Sequence, residues 1–255
     1  MPKELQLFFT ALMFFTRLPC PKGIDHSAEL LNASQKYFPA VGLLVGGLSA
    51  AVLLLTLGLL PPAVAVMLSL TAGILITGAF HEDGFADTCD AFGGGWTKEQ
   101  ILTIMKDSRL GTYGVTGLLL LLGLKVSLQL QLTALPAVWI LPLWLNAHAS
   151  SRWWAGRFVQ THAYVQDLDV SKAKPIASRK LNRSAQLQAL GMTLLPYVLL
   201  PDWRLIWLFP FCGLAKGVMA HLAERKIGGY TGDVLGATQQ LCELMFWLGA
   251  AAWSF

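Results

Sequence analysis

Charge is scarce in this sequence. Charged residues fill 13% of its 255 positions and hydrophobic residues 55%, with a mean hydropathy of +0.54; a soluble domain carries about a quarter charged residues. A water-facing exterior over most of the chain is therefore excluded. Cysteine is also sparse: Cys20, Cys89, Cys212 and Cys242 form no C-x-x-C pair, which argues against a zinc site or a disulfide framework. Each reads as a small packing residue, Cys89 included, because hard divalent cations prefer oxygen. The basic residues form no stripe with interleaved aromatics, so nucleic-acid binding has no support. The N-terminal MPKELQLFFTALMFFTRLPCPKG lacks a small-residue cleavage site before Arg17 and Pro19, and reads as an uncleaved interfacial or partly inserted helix.

What remains is apolar runs of about bilayer-spanning length, separated by short polar loops. Their positions are roughly 38–59, 62–80, 114–132, 135–151, 187–200, 203–222 and 234–254. The expectation is all-α: a polytopic helical bundle of about seven transmembrane helices, one integral membrane domain over 1–255. Pro136, Pro142, Pro196 and Pro210 are candidates to kink or break helices, and Gly42-x-x-x-Gly46 to mark close helix packing. Laid on this map, sixteen of the nineteen Lys and Arg fall on one side, Lys125 and Lys216 fall inside spans, and only Arg204 lies opposite. That asymmetry is the positive-inside pattern, so the populated face should be cytoplasmic.

On that face stands TGAFHEDGFADTCDAFGGG, which sets four carboxylates, Glu82, Asp83, Asp87 and Asp90, directly after a charge-free run. On a helix Asp83, Asp87 and Asp90 are i, i+4 and i+7, along one face. Like charges so placed repel, and either one stays protonated or a cation neutralises them. Mg²⁺ or Mn²⁺ would do so and leave positions open for phosphate oxygens; a solvated helix end is the bland alternative.

In IMKDSRLGTYG, Lys106 and Arg109 with Gly111 and Gly114 can hold phosphate oxygens, or can simply be positive-inside residues. Acids for a metal beside bases for an anion point to a pyrophosphate-bearing substrate and metal-assisted phosphoryl transfer. In GGYTGDVLGATQQLCELMF, Asp233 either caps a helix or reaches the metal. Glu243, about ten residues into the last span with Gln239 one turn before it, must face the bundle interior and is a functional candidate. Lys125 and Lys216 either snorkel or pair with such an acid. His81 is the best-placed general base, with one of the aspartates as the alternative. His26, His148, His162 and His221 read as structural.

HEDGFADTCDAFGGG and IMKDSRLGTYG, with FFTRLP, YFPAVGLLVGG and GGYTGDVLGA, resemble in order the signature segments of cobalamin-5'-phosphate synthases, also called adenosylcobinamide-GDP ribazoletransferases. The resemblance covers almost the whole chain. It implies a multi-pass enzyme of the cell inner membrane, late in vitamin B12 assembly, with its site facing the cytoplasm. The implied substrates are adenosylcobinamide-GDP and α-ribazole or its 5'-phosphate; the products are the cobalamin and GMP, with Mg²⁺ as cofactor. Carried over, Asp83, Asp87 and Asp90 would hold the metal, with Glu82, Asp233 and Glu243 as further ligand candidates; His81, Asp87, Lys106 and Arg109 would serve catalysis. Two departures stand out. Glu82 occupies a place often apolar or acidic in the family, and Gln240 stands where a second acid is common. Membrane lipid is an expected partner, and a homo-oligomer stays open.

Two other readings have been weighed. A divalent-cation transporter needs acids near the bilayer midplane in two related halves, and here most acids lie on one face and no repeat is seen. A CDP-alcohol phosphotransferase shares the chemistry but has a different acidic spacing, since Asp83-Gly84-Phe85-Ala86 runs straight into Asp87.

Overall fold

The computed structural model describes residues 1–24, 27–165 and 179–254. His26, Lys172 and Lys174 lie outside the described residues. Helices account for the ordered elements among them, and the one β contact is an isolated bridge between Tyr164 and Tyr230. In chain order they are α1 (Lys3–Phe15), α2 (Ala28–Ser34), α3 (Phe38–Leu57), α4 (Pro62–Thr77), α5 (Phe80–Gly94), α6 (Lys98–Lys106), α7 (Thr112–Leu132), α8 (Ile140–Thr161), α9 (Arg183–Leu194), α10 (Leu208–Ile227) and α11 (Gly232–Trp253).

Among the described residues, three helical stretches are long and apolar enough to cross a membrane: Ala28–Leu57, Thr112–Leu132 and Trp203–Ile227. A fourth qualifies only if α4 and α5 are counted as one span despite a bend of 89° between them. The seven expected runs do all contain helix, but α9 has only 12 residues before a 3₁₀ stretch at Leu195–Leu199. Helices α8 and α11 are 22 residues each, yet they carry interior polar residues that keep them from reading as simple apolar spans. The helix of the fourth run also outlasts its apolar stretch. Helix α8 continues to Thr161 and takes Arg152 and Arg157, which the sequence suggested as loop residues, into its last turns.

The elbow between α4 and α5 follows from its backbone. Gly78 and Ala79 both adopt left-handed angles, φ +65° and +59°. For alanine this conformation costs roughly 1–2 kcal/mol, and the turn redirects the chain so that α5 leaves the line of α4 instead of prolonging it. The Arg17 backbone N–H donates to the Ile76 carbonyl at 2.8 Å beside this elbow, tying the end of α1 to it.

Small residues set the closest helix contacts, as expected where backbones must approach without a large hydrophobic driving force. Gly42 and Gly46 of α3 lie against the backbone carbonyls of His148 and Trp144 in α8, and a Cβ at Gly46 would stand 2.7 Å from the Trp144 oxygen. Cys89 packs under Gly117 of α7, as a packing cysteine should, and none of the four cysteines is in a disulfide.

Helix α11 runs through the middle, against α5, α7, α8 and α10. Deep in it, Glu243 is 3% exposed and accepts from Lys125 Nζ of α7 at 2.8 Å and from Gln239 Nε2 at 2.8 Å. Breaking one side of a buried ion pair leaves a bare charge, which costs about 3–5 kcal/mol, while replacing both partners costs far less. Lys125→Met alone should therefore lower detergent-solubilised thermal stability strongly, and Lys125→Met with Glu243→Gln should recover most of the loss. A double variant as unstable as the sum of the singles would show that the pair is not coupled.

Candidate active site

Helix α5 separates two polar groups. Its aspartates face outward and its His81 and Glu82 inward, because residues 83, 87 and 90 fall on one arc and 81 on the opposite one. Asp83 is exposed, Asp87 half-buried and Asp90 buried. Across from them, Asp233 occupies the second position of α11, after Thr231, whose side chain caps the helix by accepting from the Val234 N–H. Glycine permits the approach: a Cβ on Gly84 would stand 3.0 Å from the Asp233 backbone, and Gly236 in turn abuts Gly84 and His81.

This arrangement gathers negative charge. The Asp87 carboxyl is pushed up to about 7, first by burial and then by Asp233, Asp83 and Asp90. Asp233 is pushed up to about 6, mainly by burial and further by Asp83, against lowering by its own backbone and Thr231. Both residues lie outside the three spans defined above. Hard carboxylate oxygens, those of Asp87 and Asp233 with raised proton affinity, suit a divalent cation in chemistry. Among the described residues, however, no three His, Cys, Asp or Glu side chains stand together closely enough to hold one ion. The donors fit in kind, without being drawn into a closed coordination set.

Asp90 has a different occupation. Its Oδ2 accepts from the Gly111 N–H at 2.7 Å and its Oδ1 from the Gly114 N–H at 2.8 Å, so the carboxylate caps the start of α7. The two glycines suggested as phosphate donors thus give their N–H groups to Asp90. Packed against its carboxyl oxygens, they leave no room for side chains. Arg109 reaches into the open, its side chain 88% exposed, and pairs with Asp107 at 2.6 Å. Lys106 ends α6 and is exposed.

The inward side of α5 meets a polar chamber that the sequence only partly foretold. The Lys125–Glu243 pair was one of the alternatives it left open. Gln240 links them to α5: it accepts from Lys125 Nζ and donates to Glu82 Oε1 at 2.8 Å. His148 Nδ1 lies 3.6 Å from Glu243, and Arg152 Nη1 donates to the His148 carbonyl at 3.0 Å. With His81, these residues line a cavity of about 20 Å³, room for roughly one water. The structure therefore does not bring Glu82 and Glu243 together with the aspartates; both have cationic or amide partners inside. His81 is buried too, stacked on Phe15 at 5.9 Å with planes 9° apart. The signal for the chamber was present as polar pairs one turn apart within apolar runs, Lys125 with Gln129, His148 with Arg152 and Gln239 with Glu243.

The division of labour among the aspartates is measurable. Asp90→Asn removes one of two acceptors for the start of α7 and should destabilise the protein by about 1–3 kcal/mol. Asp83→Asn, at an exposed position without such partners, should leave thermal unfolding within experimental scatter. Equal stability of both variants would remove the capping role.

Comparison with known proteins bears on what these groups do. A model of the cobalamin-5-phosphate synthase family matches residues 7–251. A protein of Shewanella oneidensis named adenosylcobinamide-GDP ribazoletransferase is 46% identical over 244 residues, covering 95% of this chain and 92% of the relative. Another of that name from Shewanella halifaxensis is 44% identical over 253 residues, covering 96% and 95%. No solved structure matches the chain. With the match running through both polar groups and from α1 to α11, the chain belongs to the cobalamin-5-phosphate synthase family.

Proposed function

We propose that this chain is an adenosylcobinamide-GDP ribazoletransferase, joining adenosylcobinamide-GDP to α-ribazole or its 5'-phosphate with release of GMP. The observation that carries the reading is the carboxylate group of Asp83, Asp87 and Asp233 held across α5 and α11, in a chain whose relatives carry that name along nearly their full length. The whole chain acts as one membrane-embedded catalytic domain of the cell inner membrane, and the site opens to the cytoplasm. The bias of Lys and Arg toward that face supports the orientation.

In this reading a ribose hydroxyl of the acceptor attacks the phosphorus nearer the cobinamide. The new P–O bond forms as the bond to GMP breaks, and the hydroxyl proton goes to a carboxylate of the open group. Asp87 suits that role better than His81, whose ring is enclosed against Phe15. Asp83, Asp87 and Asp233 would hold Mg²⁺, or Mn²⁺, which when bound supplies Lewis-acid neutralisation of the pyrophosphate. Lys106 and Arg109, exposed on the segment that leads into α7, take up the remaining phosphate charge. Asp90 keeps that segment in place through its two backbone hydrogen bonds.

The direct test is incubation of the purified protein with adenosylcobinamide-GDP, α-ribazole and Mg²⁺, following GMP. Asp87→Asn should reduce turnover by roughly a hundredfold or more while the fold persists. Folded wild-type protein that releases no GMP above a no-enzyme control would overturn the reading.

A pH experiment reaches the carboxylates without substrate. A carboxyl whose pKa is raised by folding, from 3.8 to about 7 for Asp87, contributes stability that is complete below about 4 and is lost as pH rises through 7. Metal-free protein should thus melt at lower temperature at pH 8 than at pH 5, and Mg²⁺ should restore stability at pH 8. Asp87→Asn should flatten the pH dependence; an unchanged slope in that variant would show that the Asp87 carboxyl is not its source.

A further inference from the structure

A second cavity, of about 300 Å³, lies between the start of α3, the last turns of α8 and the first turns of α9. That volume is at the lower end for a small-molecule site. Among the described residues its wall holds three guanidinium groups, Arg152, Arg157 and Arg183, and no Asp or Glu. Arg157 uses Nη1 on Gln186 Oε1 at 2.7 Å and lies 5.7 Å over the Trp153 ring. Arg183 is exposed at the first position of α9. Arg152 is the unusual member: it is 5% exposed, and its buried Nε has no hydrogen-bond partner among the described residues. Arg152 also lines the inner chamber, where Nη1 donates to His148 and Glu243 and Glu82 offset its charge, so the unmet Nε is the donor it has left for an anion in this cavity.

The rest of the wall is apolar, with Phe38, Leu187 and Leu190 beside Trp153. Guanidinium forks match phosphate oxygens in pairs, and a flat apolar body packs well against such aromatic and aliphatic faces. The wall is also tied to the inner side of α5, the helix whose outer side carries the aspartates. Phe38 packs edge-on against Phe15 at 4.5 Å, and Phe15 stacks on His81 at the start of α5.

From these observations we infer that the cavity is a binding site for a phosphate group carried on an apolar body, held by Arg152, Arg157 and Arg183. Two sources share that chemistry: a phosphorylated acceptor of the proposed reaction, and an anionic phospholipid of the surrounding membrane. The first source rests on the proposed function; the site itself does not.

The test is binding, with turnover measured separately. Wild type, Arg183→Gln and Arg157→Gln/Arg183→Gln are placed in phosphatidylcholine nanodiscs, with Arg225→Gln at the end of α10 as control. If the acceptor is the source, α-ribazole 5'-phosphate binds wild type and control alike. Its affinity then falls about tenfold for each guanidinium lost, and affinity for α-ribazole without phosphate does not change. If the lipid is the source, native mass spectrometry of mixed discs shows phosphatidylglycerol retained by wild type and lost from the double variant. Arg183 is exposed, so its single variant keeps the test valid if the double variant unfolds. Unchanged binding of both phosphate probes in folded variants overturns the inference. Intact phosphate binding without GMP formation would instead overturn the proposed function and leave the site standing.

Discussion

The contact on which the rest depends is the one between Gly84 of α5 and the backbone at Asp233 of α11. A side chain at Gly84 would meet that backbone at 3.0 Å, and Gly236 one turn further on touches Gly84 and His81 in the same way. Only at this spacing can Asp233 raise the proton affinity of Asp87 from the facing helix. The same contact lets Gln240, two turns along α11, reach Glu82 on the inner side of α5. One pair of glycines thereby fixes both the outer acidic group and the inner chamber.

The two polar groups solve opposite electrostatic problems. Outside, negative charge is left uncompensated by the protein, and burial, with repulsion added to it, pushes the Asp87 and Asp233 carboxyls up to about 7 and about 6. Inside, charge is balanced: Lys125 and Arg152 stand against Glu243 and Glu82, with amides of Gln239 and Gln240 between them. A balanced interior can be buried without an external ion, whereas the outer group is stable as a charged set only when a cation joins it. Asp90 sits at the border and is neutralised in a third way, by two backbone N–H groups at a helix start.

Much of this was legible in the sequence, for definite reasons. Helical periodicity put Asp83, Asp87 and Asp90 on one face, and α5 is a helix over that stretch. An acid ten residues into an apolar run had to face inward, and Glu243 does. What periodicity cannot carry is direction between helices. The i, i+4, i+7 rule says that three aspartates share an arc, but not that the third would be taken up by Gly111 and Gly114 from another helix. Nor does local pattern register the left-handed pair at Gly78 and Ala79, where alanine holds a conformation it disfavours because the packed elbow demands it. The apolar run ends near 151 but its helix continues to Thr161, because Arg152 and Arg157 look like loop residues until Arg152 is seen to have a buried place among helices. Hydropathy measures contact with lipid, and α8 and α11 make much of their contact with protein.

Gln240 shows how that interior chemistry constrains the sequence. Its amide oxygen accepts from Lys125 while its amide nitrogen donates to Glu82. A carboxylate at this position could accept from Lys125 but could donate to Glu82 only if protonated. Ionised, it would add a third negative charge beside Glu82 and Glu243, with Lys125 and Arg152 as the nearest cations, and in a space of about 20 Å³ no bulk water is at hand to screen it. The presence of Gln240 is thus coupled to Glu82 on α5. With an apolar residue at 82 no donor would be needed, and an acid at 240 would share Lys125 with Glu243; with an ionised acid at 82, the amide is the side chain that serves both neighbours.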